Sequence, residues 1–203
     1  MQLPLFPLNT VLFPDGLLPL RIFEARYMDM ARDCLRDGTS FGVCLITRGS
    51  EVGGPAAFES VGCVARIAAW DMPQLGVLSI RAVGVQRMRV SSSRLREDKL
   101  AIGEVELLEA DVDGPPAQRH VDCVELLRRI IEDMQSNAAG QDGDARLPFQ
   151  PPWKFESSAW VGNRLCEVLP VPLKAKQKLM ELDDAATRLD IVTDYLRQHA
   201  VLK

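Results

Sequence analysis

The residue types that most often do chemistry are sparse in this chain and poorly spaced for it. There are only two histidines. His120 stands where a helical stretch begins and His199 near the C-terminal end, positions that suit a capping or surface role. The five cysteines, at 34, 44, 63, 123 and 166, are odd in number, widely separated and set among apolar residues. They read as buried reduced thiols of a cytoplasmic protein and not as a disulfide framework. No two Cys or His residues have zinc-site spacing. No G-x-x-x-x-G-K-[S/T] run occurs; Gly53-Gly54 is followed by neither Lys nor Ser/Thr and reads as a hairpin loop. Asp183 and Asp184 fit a helix cap better than an acid–base pair. The expectation is a protein that is not an enzyme, with no metal and no cofactor.

Binding is left, and three groups of residues could provide it. Arg21, Glu24 and Arg26 surround Ile22-Phe23 and Tyr27. They form either a charge-assisted network pinning a helix to a sheet or a polar clamp on a bound peptide. Trp70, Met72, Phe149, Trp153 and Trp160 are large and apolar, hence core by type. However, Phe149 and Trp153 lie in a Pro-rich stretch, as a lid over an apolar ligand or an anchor of the loop that carries them. The third group is basic. Between Arg81 and Lys99 stand six Lys/Arg and two acidic residues, so Arg87, Arg89, Arg94 and Arg96 form a nucleic-acid alternative. That segment has no aromatic residue to stack a base, and the whole chain carries a formal charge of −4. Both argue against nucleic acid as partner.

The elements that must position these groups follow from period and punctuation. Pro4, Pro7, Pro14 and Pro19 impose extended chain on an apolar run. This gives strands near Leu3–Leu8 and Leu18–Ile22 around a turn at Asp15-Gly16. The run has no Lys or Arg before Arg21 and is not a signal peptide. Phe23, Tyr27, Met30, Ala31, Cys34 and Leu35 then recur at helical steps, and the helix should stop at Gly38. Further strands are expected at Phe41–Ile46, Phe58–Trp70, Leu75–Val83, Val85–Val90 and Leu100–Leu108. A turn is expected at Asp71-Met72-Pro73-Gln74, a bulge at Gly84, and a polar loop over Ser91–Lys99. Such a series suggests a closed or nearly closed antiparallel sheet.

At Asp111–Pro116 the period changes from two to 3.6. Residues 1–114 therefore read as a β domain with one inserted helix, and residues 115–203 as a helical bundle. The bundle helices start at Val121, at Ser157 or Ser158, and at Leu173, the last with a break capped by Asp183. The connection from Ser136 to Phe155 is longer than bundles need. Its middle, Asn137 to Arg146, is small, polar and suited to mobility. No apolar run approaches the roughly 18 residues of a membrane span.

Several stretches carry a resemblance. Leu3-Pro4-Leu5-Phe6-Pro7-Leu8, Phe13-Pro14-Asp15-Gly16 and Pro19-Leu20-Arg21-Ile22-Phe23-Glu24-Ala25-Arg26-Tyr27 resemble the opening of the N-terminal domain of Lon ATP-dependent proteases. Gly84-Val85-Gln86-Arg87-Met88-Arg89-Val90 is similar to a later strand of that family, with Met88 in place of its usual aromatic. Ala159–Leu165, Leu169-Pro170, Leu182-Asp183-Asp184 and Arg188-Leu189 continue the likeness. The resemblance implies a PUA-like β-barrel followed by a helical bundle. It also implies a non-catalytic polypeptide-binding module, whose ligands are unfolded or apolar polypeptide segments or a partner protein. A cryptic ATP-independent hydrolase and an RNA-binding PUA-like protein are the alternatives. Oligomeric state is not readable from the sequence.

Overall fold

A computed structural model describes residues 1–139 and 149–202. The chain runs β1 (Gln2–Leu8), β2 (Leu17–Ile22), α1 (Ala25–Asp37), β3 (Phe41–Arg48), β4 (Ala57–Phe58), β5 (Val61–Gln74), β6 (Val77–Leu95) and β7 (Ala101–Leu107). A 3₁₀ turn at Gln118–His120 then leads into α2 (Val121–Ala139), α3 (Ser158–Val168), α4 (Leu173–Glu181) and α5 (Ala185–Gln198). The fold is mixed α+β with a largely antiparallel sheet.

Five strands are hydrogen-bonded in the order β1-β7-β6-β5-β3, and β3 returns to β1. That last pairing is parallel, Leu5 opposite Gly42 and Leu8 opposite Leu45, so the sheet is not antiparallel throughout. The reason lies in the connection: the chain between β1 and β3 includes β2 and α1, a crossover that brings β3 back in the same direction. β2 lies against the first half of β6, Leu17 opposite Val83 through Ile22 opposite Leu78. Beyond it β6 bends. The β5–β6 register slips between Val64 and Ala65, opposite Gln86 and Gly84. A Cβ on Gly84 would stand 2.2 Å from the Phe13 carbonyl oxygen, so only glycine lets the 11–16 turn close over the bend.

Three apolar clusters hold the molecule together. Phe6, Tyr27, Met30, Ala31, Phe41 and Ile80 bury α1 against the sheet. Leu3, Leu5, Cys44, Val64, Met88 and Val105 form a second cluster. The third joins Val11, Phe13, Leu45 and Val61 of the β region to Cys123, Leu127, Trp160, Leu165, Leu189 and Leu196 of the helices. Chain on both sides of residue 114 therefore shares one core, and all five cysteines are free and buried.

Several local expectations need correction. Asp71–Gln74 is strand, and the hairpin turns at Leu75-Gly76, where Gly76 takes φ +82°. Ser91–Leu95 extends β6, leaving only 96–100 as a loop. The break between α4 and α5 is capped by Asp184, whose carboxylate accepts from the Thr187 backbone N–H at 2.9 Å; Asp183 instead approaches Arg87. His120 is buried, with Nε2 2.6 Å from Asp190 Oδ1, and is not a surface residue. Ser157 caps α3 as expected, accepting from Trp160 N at 2.9 Å. The mobility expected of the middle of the 136–155 connection falls, from residue 140 onward, outside the described residues.

Candidate functional site

The outer face of α1 and the far end of the β5–β6 hairpin enclose an apolar groove of about 830 Å³. Phe23, Met28, Leu35, Trp70, Met72 and Leu78 supply its apolar walls, and Asp29, Arg32 and Arg36 its rim. Local structure explains why so much apolar surface faces outward. β2 ends on Ile22, which points into the core, so strand alternation sends Phe23 the other way. The helix begins only at Ala25, and Glu24 is its N-cap residue with extended backbone. Phe23 is therefore 57% exposed. This corrects the reading of Phe23 as the first residue of the buried helical stripe. Across the groove β5 runs on beyond Ala65, where its pairing with β3 ends, and toward the hairpin tip Trp70 is 59%, Met72 46% and Leu75 97% exposed. Contiguous exposed apolar surface of this kind is unusual on a monomer and marks interaction sites.

The charges near the groove are mostly satisfied within the chain. Asp29 pairs with Arg32, and Arg36 with Asp33 and Asp37. Arg26 lies beneath α1 and not in the groove. Its guanidinium is 2.9 Å from Glu24, sits 4.6 Å over the Tyr27 ring, and donates to the Lys99 carbonyl at 3.3 Å. Glu24 and Arg26 thus form the network that pins α1 to the loop before β7. Arg21 stays outside it, exposed on β2.

The remaining candidates lie at the seam between sheet and helices. Phe149 is 2% and Trp160 3% exposed, both within the third core cluster. Trp153 is half-buried with its ring centroid 6.3 Å from that of Trp160. That is the arrangement of an anchor: the aromatics already lie under the helices. Arg87 is also buried. It is 2.7 Å from Asp111 and 3.2 Å from Asp183, and donates to the Leu182 carbonyl at 2.7 Å. This removes Arg87 from the basic patch, in which Arg89, Arg94 and Arg96 remain exposed and Arg96 is held by Asp98.

Two more arginines complete a polar seam whose burial sequence reading missed. Arg188 shares Asp111 with Arg87 and donates to Asn163 at 3.1 Å and to the Leu179 carbonyl at 2.8 Å. Arg164, fully buried, lies 2.8 Å from Glu167 and donates to the Pro14 carbonyl at 2.8 Å. Burial pushes the Glu167 carboxyl up to about 7, against the lowering pull of Arg164. A signal was present: Arg164 and Arg188 each stand next to a leucine inside an apolar helical stripe. Burial likewise raises the Cys44, Cys63 and Cys166 thiols to about 12, so none is a ready nucleophile. Among the described residues no cluster of His, Cys, Asp and Glu could hold a metal ion, and no helix is long and apolar enough to cross a membrane.

Comparison with known proteins places this architecture. The chain is 28% identical over 217 residues to Lon protease 2 of Myxococcus xanthus and 27% identical to Lon protease of Anaeromyxobacter dehalogenans. Each alignment takes in 99% of this chain but only 24% of the relative, so the chain spans about a quarter of their length. A crystal structure of a Lon N-terminal domain protein from Xanthomonas campestris superposes with a TM-score of 0.76 at 35% identity, covering 96% of this chain and 98% of that one. The N-terminal domain of a Mycobacterium avium complex Lon protease, at 17% identity and a TM-score of 0.59, shares the fold. The family model of the ATP-dependent protease La (Lon) substrate-binding domain matches residues 2–198. The chain belongs to the Lon substrate-binding domain family.

Proposed function

We propose that this chain is a non-catalytic polypeptide-binding module and that the groove between α1 and the β5–β6 hairpin is where it holds apolar segments of unfolded proteins. The observation that carries the reading is the outward placement of Phe23, Trp70 and Met72 around one groove. Aromatic rings supply broad contact area, and the thioethers of Met28 and Met72 adapt to side chains of different shape. The rim charges pair among themselves, so no strong field selects one ligand charge. Membership of a substrate-binding family supports a polypeptide as the ligand class. In this reading residues 1–114 form a PUA-like barrel presenting the groove, and residues 115–203 form a helical unit that braces it in a cytoplasmic protein.

Methyl NMR of methionine-labelled protein tests the site. A permanently unfolded probe, reduced carboxymethylated α-lactalbumin, should shift or broaden Met28 and Met72 while leaving the buried Met88 and Met180 unchanged. Shifts confined to Met180, or none at saturating probe, overturn the assignment.

A further inference from the structure

The groove lies beside a projecting apolar tip. Leu75 projects from the hairpin end, fully exposed, next to the concavity that Gly76 helps to line. A two-fold rotation sets a projecting side chain of each copy against the groove of the other, the geometry of an isologous contact. The charges of α1 carry the same symmetry. Asp29, Arg32, Asp33 and Arg36 form one stripe at steps of three and four residues, spanning about 10 Å of helix. Read backward, that row has the opposite sign at every position. Two copies of α1 packed antiparallel about a point between residues 32 and 33 set Asp29 against Arg36 and Arg32 against Asp33, twice over. Each of these four side chains is well exposed and stands in an intrahelical pair that an approaching copy can extend into a network.

We propose that the partner fitting this face is a second copy of the same chain, docked across α1 on a two-fold axis with each hairpin tip against the other copy's groove. The dimer covers the exposed Phe23, Leu35, Trp70 and Met72, so an isolated pair of chains has its groove closed. One consequence rests on the polypeptide reading above: an unfolded polypeptide and a second copy compete for one surface, and capture opens the dimer.

A charge-swap cycle read by sedimentation velocity over a concentration series tests the proposal. Asp29→Arg alone sets Arg against Arg36 of the other copy, and Arg36→Asp alone sets Asp against Asp29. Each should weaken self-association by about tenfold or more, since both contacts occur twice. The double variant Asp29→Arg/Arg36→Asp restores the contact between copies but not the intrahelical pairs with Arg32 and Asp33, so it should dimerise again. Circular dichroism confirms that each variant is folded. A wild type that stays monomeric at every concentration, single variants that associate normally, or a double variant as dissociated as the singles each overturn the inference. Reduced carboxymethylated α-lactalbumin added to the wild-type dimer separates the two readings. Dissociation supports competition for one face; a dimer that obeys the charge-swap cycle yet ignores the probe counts against the polypeptide reading alone.

Discussion

The seam and the groove distribute polarity in opposite ways. At the seam, between sheet and helices, the chain buries Arg87, Arg164 and Arg188 with Asp111 and Glu167. At the groove, on the far side of α1, it exposes Phe23, Trp70 and Met72. Taking charge out of water is costly unless every charge finds partners, and leaving aromatic surface in water forgoes the main driving force of folding. The seam meets the first condition with interlocking donors and acceptors from β6, the 108–113 segment and three helices, so it fixes one orientation of helices on sheet. Among the described residues nothing covers the groove. The contrast separates residues that build the molecule from residues available for contact, which residue type alone does not do: three arginines are structural, and a tryptophan and a phenylalanine are not core.

The largest effect that would break this contrast belongs to Asp111. Asp111→Ala leaves the buried Arg87 and Arg188 without their shared carboxylate and should cost about 3–5 kcal/mol in urea unfolding. A loss below about 1 kcal/mol would mean that water or rearrangement replaces the pairing, and that the seam is not fixed by charge. Next comes the anchor. Phe149→Ala should cost about 3 kcal/mol because the ring is buried under the helices. A melting temperature close to wild type would return Phe149 to the role of a lid.

The third prediction concerns pH. The Glu167 carboxyl is raised from 4.5 to about 7, so the folded state favours its protonated form. Its contribution to stability is fully present below about 4.5 and is lost as pH rises through about 7. The difference in unfolding free energy between wild type and Glu167→Gln should therefore change across that window, with wild type losing ground as pH rises. By linkage the change is on the order of 1 kcal/mol per pKa unit. Parallel curves for the two proteins would show that Glu167 is already solvated. The smallest stability effect is expected in the groove. Phe23→Ala should change unfolding free energy by no more than about 0.5–1 kcal/mol, since most of the ring is already in water. A loss above about 2 kcal/mol would put Phe23 back in the core.

Much of the fold was legible because local signals agreed with one another. Prolines made the first strands extended, the step from Tyr27 to Cys34 marked the buried face of α1, and Gly38 ended it with left-handed backbone. Ser157 capped α3. Where reading failed, two signals competed. Phe23 satisfies the helical period and the strand alternation equally; the strand wins because the helix starts two residues later. Asp71-Met72-Pro73 has turn chemistry, yet the strands run on, because Gly76 alone provides the left-handed conformation the hairpin needs. Ser91–Leu95 carries no alternation because both of its faces are exposed. The seam was hidden for a different reason. Asp111 meets Arg188 across 77 residues of chain, and no local pattern encodes a contact of that span. Of the expected contact residues, Trp70 and Met72 line the groove. Phe149, Trp160 and Arg87 serve the interior instead.

Capture of polypeptide in the groove is tested directly by a paired measurement on Trp70→Ala/Met72→Ala. Affinity for reduced carboxymethylated α-lactalbumin is read by fluorescence anisotropy of the labelled probe, and stability by thermal melting of the same samples. Both side chains are about half exposed or more, so the melting temperature should stay within a few degrees of wild type while binding weakens by about tenfold or more. Binding at wild-type affinity by a stably folded double variant would contradict capture in the groove.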